Sequence, residues 1–273
     1  MMRTKIRRAT VAASLGFAAL AGWSGTGAAD RPPAGVPACP TSEDAPAAPV
    51  LLERLEQLMQ GGSSVATMTM TIKTRSWSRA VKMKVWTKGK DLALVRILEG
   101  GPREKGMMTL KRDRQLWNYL PQAGRVMKLP SGMLGDSWMG SDFTNDDLVH
   151  GTSLVRDFSS RVLGTALHDG RKAWRLQLVP KPDAPVVWGK IDVVLDRATC
   201  VPLVERFYDE DGQVARTMSF SDIRAVGWRQ FPTRMTVRPA DKGRETDVVY
   251  GDIEFDTSVP DDTFSLHRLQ QGR

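Results

Sequence analysis

The chain has 273 residues, of which 41% are hydrophobic and 26% charged, with 39 Lys and Arg against 31 Asp and Glu for a net charge of +8. That excess is spread along the chain rather than gathered into a basic stripe, which argues against a nucleic-acid partner. Two cysteines without CxxC or zinc-type spacing and only three histidines leave little material for a metal cluster.

MMRTKIRR opens the chain with four positive charges, ATVAASLGFAALAG follows as an apolar run, and Gly27 and Ala29 precede Asp30 at a small-residue site. This is the three-part layout of a secretory signal peptide over residues 1–29. The apolar run is shorter than the ~20 residues a membrane-spanning helix needs. No cysteine follows it closely for lipid attachment. The expected product is a soluble chain in the periplasm of a Gram-negative bacterium. The leader takes Arg3, Lys5, Arg7 and Arg8 and no acid, so the net charge falls from +8 to +4.

Residues 30–49, DRPPAGVPACPTSEDAPAAP, are rich in Pro and Ala and read as a tether. A single domain is expected over 50–270. It opens with VLLERLEQLMQGG, where Leu51, Leu52, Leu55, Leu58 and Met59 recur at helical spacing and Gly61-Gly62 stops the run. This amphipathic helix needs a surface to lie on.

Strands follow. ATMTMTIKT alternates, with Met68, Met70 and Ile72 on one face. AVKMKVW does the same with Val81, Met83 and Val85, and further period-2 segments run from DLALVRIL to TDVVYGDIEF. DEDGQ (209–213) and ADKG (240–243) are hairpin turns. About a dozen strands at short intervals predict one long antiparallel meander, which must curl or close to manage its edges. Its inner face would carry Met68, Met70, Met83, Met218 and Met235, with Met107 or Met108 and Met127 as further candidates. Methionine suits a surface that accepts variable apolar ligands, and it equally fills an ordinary core. Cys39 and Cys200 could join in an oxidising compartment or remain two free thiols.

Reactive groups are sparse. In DDLVH, Asp146 and His150 would lie one helical turn apart, and with Asp142 could hold a metal or serve a hydrolase. The plainer reading is a short helix capped by Ser141 or Thr144, with Asp146 and Asp147 complementing its N-terminal dipole. No nucleophile elbow, phosphate loop or dinucleotide fingerprint is present. The expectation is a non-enzyme without cofactor, metal or catalytic residue.

GMLGDSWMGSDFTNDDL (132–148) puts large apolar residues among acids. SWMGSDFTNDDL resembles the signature of the outer-membrane lipoprotein-sorting, LolA-like, family. The matching residues are Ser137, Met139, Gly140, Ser141, Asp142, Phe143, Asp147 and Leu148, with Trp138 where Phe is usual. LWNYLPQAGRVMKLP (116–130), the stretch from Gly189 to Ile223, FPTRMTV (231–237) and VPDDTFSLHRL (259–269) look similar too. The resemblance implies a mainly β fold, a strongly curved antiparallel half-barrel with a few helices covering an apolar cavity. It implies that Met133, Leu134, Trp138, Met139 and Phe143 form a rim or lid, with the last three turned inward and the acids facing water or capping. It further implies a monomeric periplasmic carrier of a lipoprotein or other lipid, with an inner-membrane transporter as donor and an outer-membrane acceptor. The alternatives are a lipid- or lipoprotein-sensing regulator of envelope stress and a hydrolase or metal site at Asp142, Asp146 and His150.

Overall fold

The computed structural model describes residues 39–40, 46–150, 154–240 and 243–272. The expected leader and most of the tether lie outside the described residues. Helix α1 runs Ala48–Gln60, two residues ahead of its expected start. Pro49 fits the first turn because its missing N–H would be unpaired there anyway and its fixed φ suits the helix. Gly61, at φ 63°, ends α1 with its N–H on the Gln57 carbonyl.

Thirteen strands follow: β1 (Ser63–Lys73), β2 (Ser78–Lys88), β3 (Leu92–Glu99), β4 (Met108–Arg112), β5 (Gln115–Leu120), β6 (Arg125–Lys128), β7 (Phe158–His168), β8 (Arg171–Pro180), β9 (Lys190–Asp196), β10 (Pro202–Tyr208), β11 (Val214–Val226), β12 (Arg229–Pro239) and β13 (Glu245–Phe255). They form one antiparallel sheet in the order β6-β5-β4-β3-β2-β1-β13-β12-β11-β10-β9-β8-β7. Every neighbour is a sequence neighbour except at the β1–β13 joint. The two edges, β6 and β7, are therefore consecutive in sequence. The chain between them, residues 129–157, has to pass from one edge of the sheet to the other. Register breaks at Ala66/Met68, Lys82/Met83, Val162/Gly164 and Phe207/Tyr208 mark bulges, which bend strands and increase their twist. The sheet is open and strongly curved.

On the inner face, Leu51, Leu52, Leu55 and Leu58 of α1 pack with Trp174, Leu176, Ile191, Val193 and Phe207 from the β7–β10 half. The β1–β3 half carries a second inner cluster of Met70, Ile72, Val81, Met83, Val95 and Trp138. Strand alternation sends Leu94, Leu110 and Trp86 to the opposite face. There Val259, Phe264 and Leu269, from the C-terminal segment and α4 (Leu266–Gln270), cover them. Cys39 is disulfide-bonded to Cys200, which is fully buried at the turn between β9 and β10. Asp196 shapes that turn by accepting from the backbone N–H of Ala198 and Thr199. The bond fastens the segment preceding α1 to the apolar cluster on which α1 lies.

Candidate ligand-binding site

Residues 129–157 carry two short helices, α2 (Asn145–His150) and α3 (Leu154–Asp157). A tight turn comes first. Trp138 donates its N–H to the Phe143 carbonyl at 2.8 Å, and the Ser141 hydroxyl donates to the Trp138 carbonyl at 2.7 Å. Met139 takes a left-handed backbone at φ 53° and Gly140 continues it at φ 70°, a conformation that glycine adopts freely. Thr144 starts α2 with a reciprocal cap. Asp147 accepts from the Thr144 N–H at 2.8 Å, and the Thr144 hydroxyl accepts from the Asp147 N–H at 3.2 Å.

Three arginines fasten this segment to the sheet. Arg79 of β2 donates to the Met139 carbonyl and pairs with Glu104. Arg244 donates from Nη2 to the Gly140 carbonyl at 2.6 Å. Its Nε also lies 2.6 Å from Asp142, an ion contact rather than an aligned hydrogen bond. Arg216 of β11 reaches up from the inner face to grip Asp147 with both terminal nitrogens, at 2.7 Å each. The guanidinium is itself sandwiched against Trp188 and Phe207, at 4.6 and 4.5 Å from the ring centres. Burial works to raise the Asp147 carboxyl, but the bonds from Arg216 and Thr144 outweigh it and hold the group below the usual carboxylate range.

Between the segment, α1 and the sheet lies a cavity of about 400 Å³. Met59, Met68, Met70, Met83, Met218 and Met235 line it, with Trp138, Phe143, Phe207, Phe220 and Tyr250. A smaller space of about 200 Å³ adjoins it, sharing Met59, Gln60, Met68, Val85, Leu148 and Tyr250 as walls. Burial pushes the Tyr250 hydroxyl up to about 12.

Of the ten residues expected at a ligand site, seven border this cavity: Met68, Met70, Met83, Trp138, Phe143, Met218 and Met235. Three do not. Met133 is 44% exposed. Leu134 lies by Leu116 and Leu129, in a separate groove beside β5 and β6. Met139 packs beside the β1–β3 cluster without reaching the cavity. The left-handed turn explains the last case, since it reverses the chain immediately after Trp138 and sends consecutive side chains different ways. Met127 is also exposed, and of the pair Met107 and Met108 the first packs against the inner β1–β3 cluster while the second belongs to the cluster on the opposite face. Of the acids, Asp147 caps α2 as expected and is also paired with Arg216, whereas Asp142 is 2% exposed and paired with Arg244 rather than facing water.

For the alternative site, Asp142 is engaged by Arg244 and by the Thr246 hydroxyl at 2.7 Å. Among the described residues no three His, Cys, Asp or Glu side chains gather as a metal site. The His150 side chain lies outside them.

Sequence reasoning missed three charged groups on the cavity wall, Glu56, Glu205 and Arg216. Glu205 stands two residues before Phe207, and Arg216 two before Met218 and four before Phe220. An ionisable residue in an otherwise apolar inward row was the available signal. Glu205 is partly buried on the cavity wall. Burial pushes its carboxyl up to about 7, with Arg216 pulling it the other way. No hydrogen bond or ion pair among the described residues reaches it.

An open, curved antiparallel sheet with helices across its inner face and an apolar cavity beneath them is a LolA-like half-barrel. Solved structures agree. A domain named as an outer membrane lipoprotein-sorting protein, from Vibrio parahaemolyticus, superimposes with a TM-score of 0.72 at 23% identity, covering 81% of this chain and 97% of its own. A DUF1329 family protein from Desulfovibrio piger gives 0.73 at 20% identity, covering 81% and 97%. A LolA superfamily protein from Nitrosomonas europaea gives 0.68 at 20% identity, covering 82% and 100%. At these identities the likeness concerns the fold. A family model described as "Uncharacterized protein" matches residues 89–271, more than half of the chain, and the chain belongs to that family. No curated protein matches it significantly. No helix among the described residues is long and apolar enough to cross a membrane.

Proposed function

We propose that this protein is a periplasmic carrier that shelters acyl chain of a lipoprotein or other lipid in the cavity and passes it across the envelope without chemical change. The observation that carries the reading is the methionine-lined cavity beneath the segment joining the two sheet edges. Moving a two-chain anchor into water exposes ~30 methylenes at ~0.8 kcal/mol each. Unaided crossing is therefore negligible, and each methylene that the cavity shelters removes its share of that cost. Methionine suits the task because its unbranched chain repacks around different ligands. Release then requires that the acceptor bind the chain more tightly than the cavity does. On this reading the leader directs export and is removed, the working chain is a monomer, an inner-membrane transporter loads it and an outer-membrane component unloads it.

The test is native mass spectrometry of protein gently purified from the periplasm, for the wild type, Trp138→Asp and Met133→Asp. Trp138 borders the cavity and Met133 does not. The reading expects co-purifying lipid in the wild type and Met133→Asp, and its loss in Trp138→Asp, where a charge would sit against hydrocarbon. Lipid-free wild type, or equal lipid in both variants, contradicts it.

A further inference from the structure

Taking the carrier reading as its basis, we propose that the cavity is a site for a single-chain amphiphile with a cationic amine head, the head held at Glu205 and the chain directed toward Met68, Met70 and Met83.

Size sets the number of chains. A methylene occupies about as much room as a water molecule, roughly 30 Å³, so 400 Å³ takes a chain of about a dozen carbons. The adjoining 200 Å³ lengthens that chain but does not admit a second of equal length.

Charge sets the head. Three charged groups on other elements face Glu205 around the cavity: Arg216 on β11, Asp147 on α2 and Glu56 on α1. Arg216 is already matched, its two terminal nitrogens both on Asp147. Glu56 is held by Lys90 at 2.7 Å. Glu205 feels Arg216 only at a distance and, among the described residues, has no ion pair or hydrogen-bond donor of its own at the edge of a mostly apolar space. An anionic head would meet this carboxylate with the one nearby arginine already in use. A primary ammonium supplies both the missing charge and the missing donors. Burial that raises the Glu205 carboxyl to about 7 is relieved when a cation arrives.

Register sets the direction. Glu205 pairs with Met218, Phe220 with Met235, Met235 with Val248, Val248 with Met70, and Met68 with Met83. These neighbours lead from β10 across β11, β12, β13 and β1 to β2. At ~4.8 Å per strand that is about 24 Å along the sheet. The polar end and the methionine end of the cavity are thus opposite ends of one path.

Calorimetric titration of the full-length mature protein with dodecylamine, laurate and monolaurin, each below its micelle concentration at about pH 8, tests the assignment. Dodecylamine is expected to bind at least tenfold more tightly than laurate, with monolaurin between. Glu205→Gln is expected to bring the three within a few-fold of one another, with unchanged circular dichroism showing that the variant is folded. Lowering the pH to about 5.5 should weaken dodecylamine binding to the wild type as Glu205 takes up a proton. Laurate binding as tightly as dodecylamine, or an order unaltered by Glu205→Gln, overturns the assignment and leaves the carrier reading standing. Binding of none of the three overturns both.

Discussion

Arg216 on β11 and Asp147 on α2 share two hydrogen bonds of 2.7 Å across the inner wall of the cavity, so the segment that spans the half-barrel is tied to the sheet from inside. Both side chains are largely buried, 8% and 18% exposed. Removing one partner strands the other charge, which costs ~3 kcal/mol or more. Arg216→Met should therefore lower the urea midpoint clearly, and adding Asp147→Leu should recover over half of the loss. A double variant no more stable than Arg216→Met would show that the pair's charges are not what matters.

The same pair sets a response to acid. Asp147 is held below the usual carboxylate range. Its contribution to stability is present above the unfolded-state value of ~3.9 and is lost as pH falls through the lower folded-state value. Wild-type stability should drop below about pH 4, and Asp147→Asn should flatten that part of the profile. Parallel acid profiles for the two proteins would contradict this.

Glu205 works with the opposite sign. Its carboxyl is raised to about 7 in the folded chain against ~4.3 unfolded. The folded state thus binds the proton more tightly. That advantage is complete below the unfolded value and is lost as pH rises through about 7. Glu205→Gln should be the more stable protein at about pH 8, by on the order of a few kcal/mol at most, with the gap closing toward about pH 5. Differential scanning calorimetry at the two pH values decides it, and a gap of equal size at both would contradict the assignment.

The Cys39–Cys200 bond spans 161 residues of sequence. Chain entropy gives ~5 kcal/mol as an upper figure for its effect on stability. Reduction, or Cys39→Ser with Cys200→Ser, should lower the thermal midpoint substantially while the sheet still folds, because the apolar clusters do not depend on the bond. An unchanged midpoint on reduction would mean that the tether contributes nothing to the folded state.

Much of this fold is legible in the sequence because a curved sheet with one apolar face writes a period of two. Met68, Met70, Val81 and Met83 are alternate residues, and the face they share is the cavity face. The leucine stripe of α1 is equally plain. What periodicity does not carry is which distant strands meet. The β1–β13 joint is such a contact, and it alone makes β6 and β7 the edges that residues 129–157 must bridge. Nor does spacing orient side chains in an irregular turn. Trp138 and Met139 are neighbours, yet one borders the cavity and the other does not, because the backbone turns left-handed between them. The ion pairs of Asp142 and Asp147 are not legible because their partners, Arg244 and Arg216, are remote in sequence.

The most direct test of the account places the ligand itself. A dodecylamine bearing a diazirine at its terminal carbon, bound at low occupancy and irradiated, labels whatever touches the end of the chain. Peptide mapping is predicted to find the label on Met68, Met70, Met83 or Trp138, and to lose it when unmodified dodecylamine competes. Label on the outward-facing Met127, Leu163 or Leu167, or label that competitor does not displace, would contradict an acyl chain lying in the cavity.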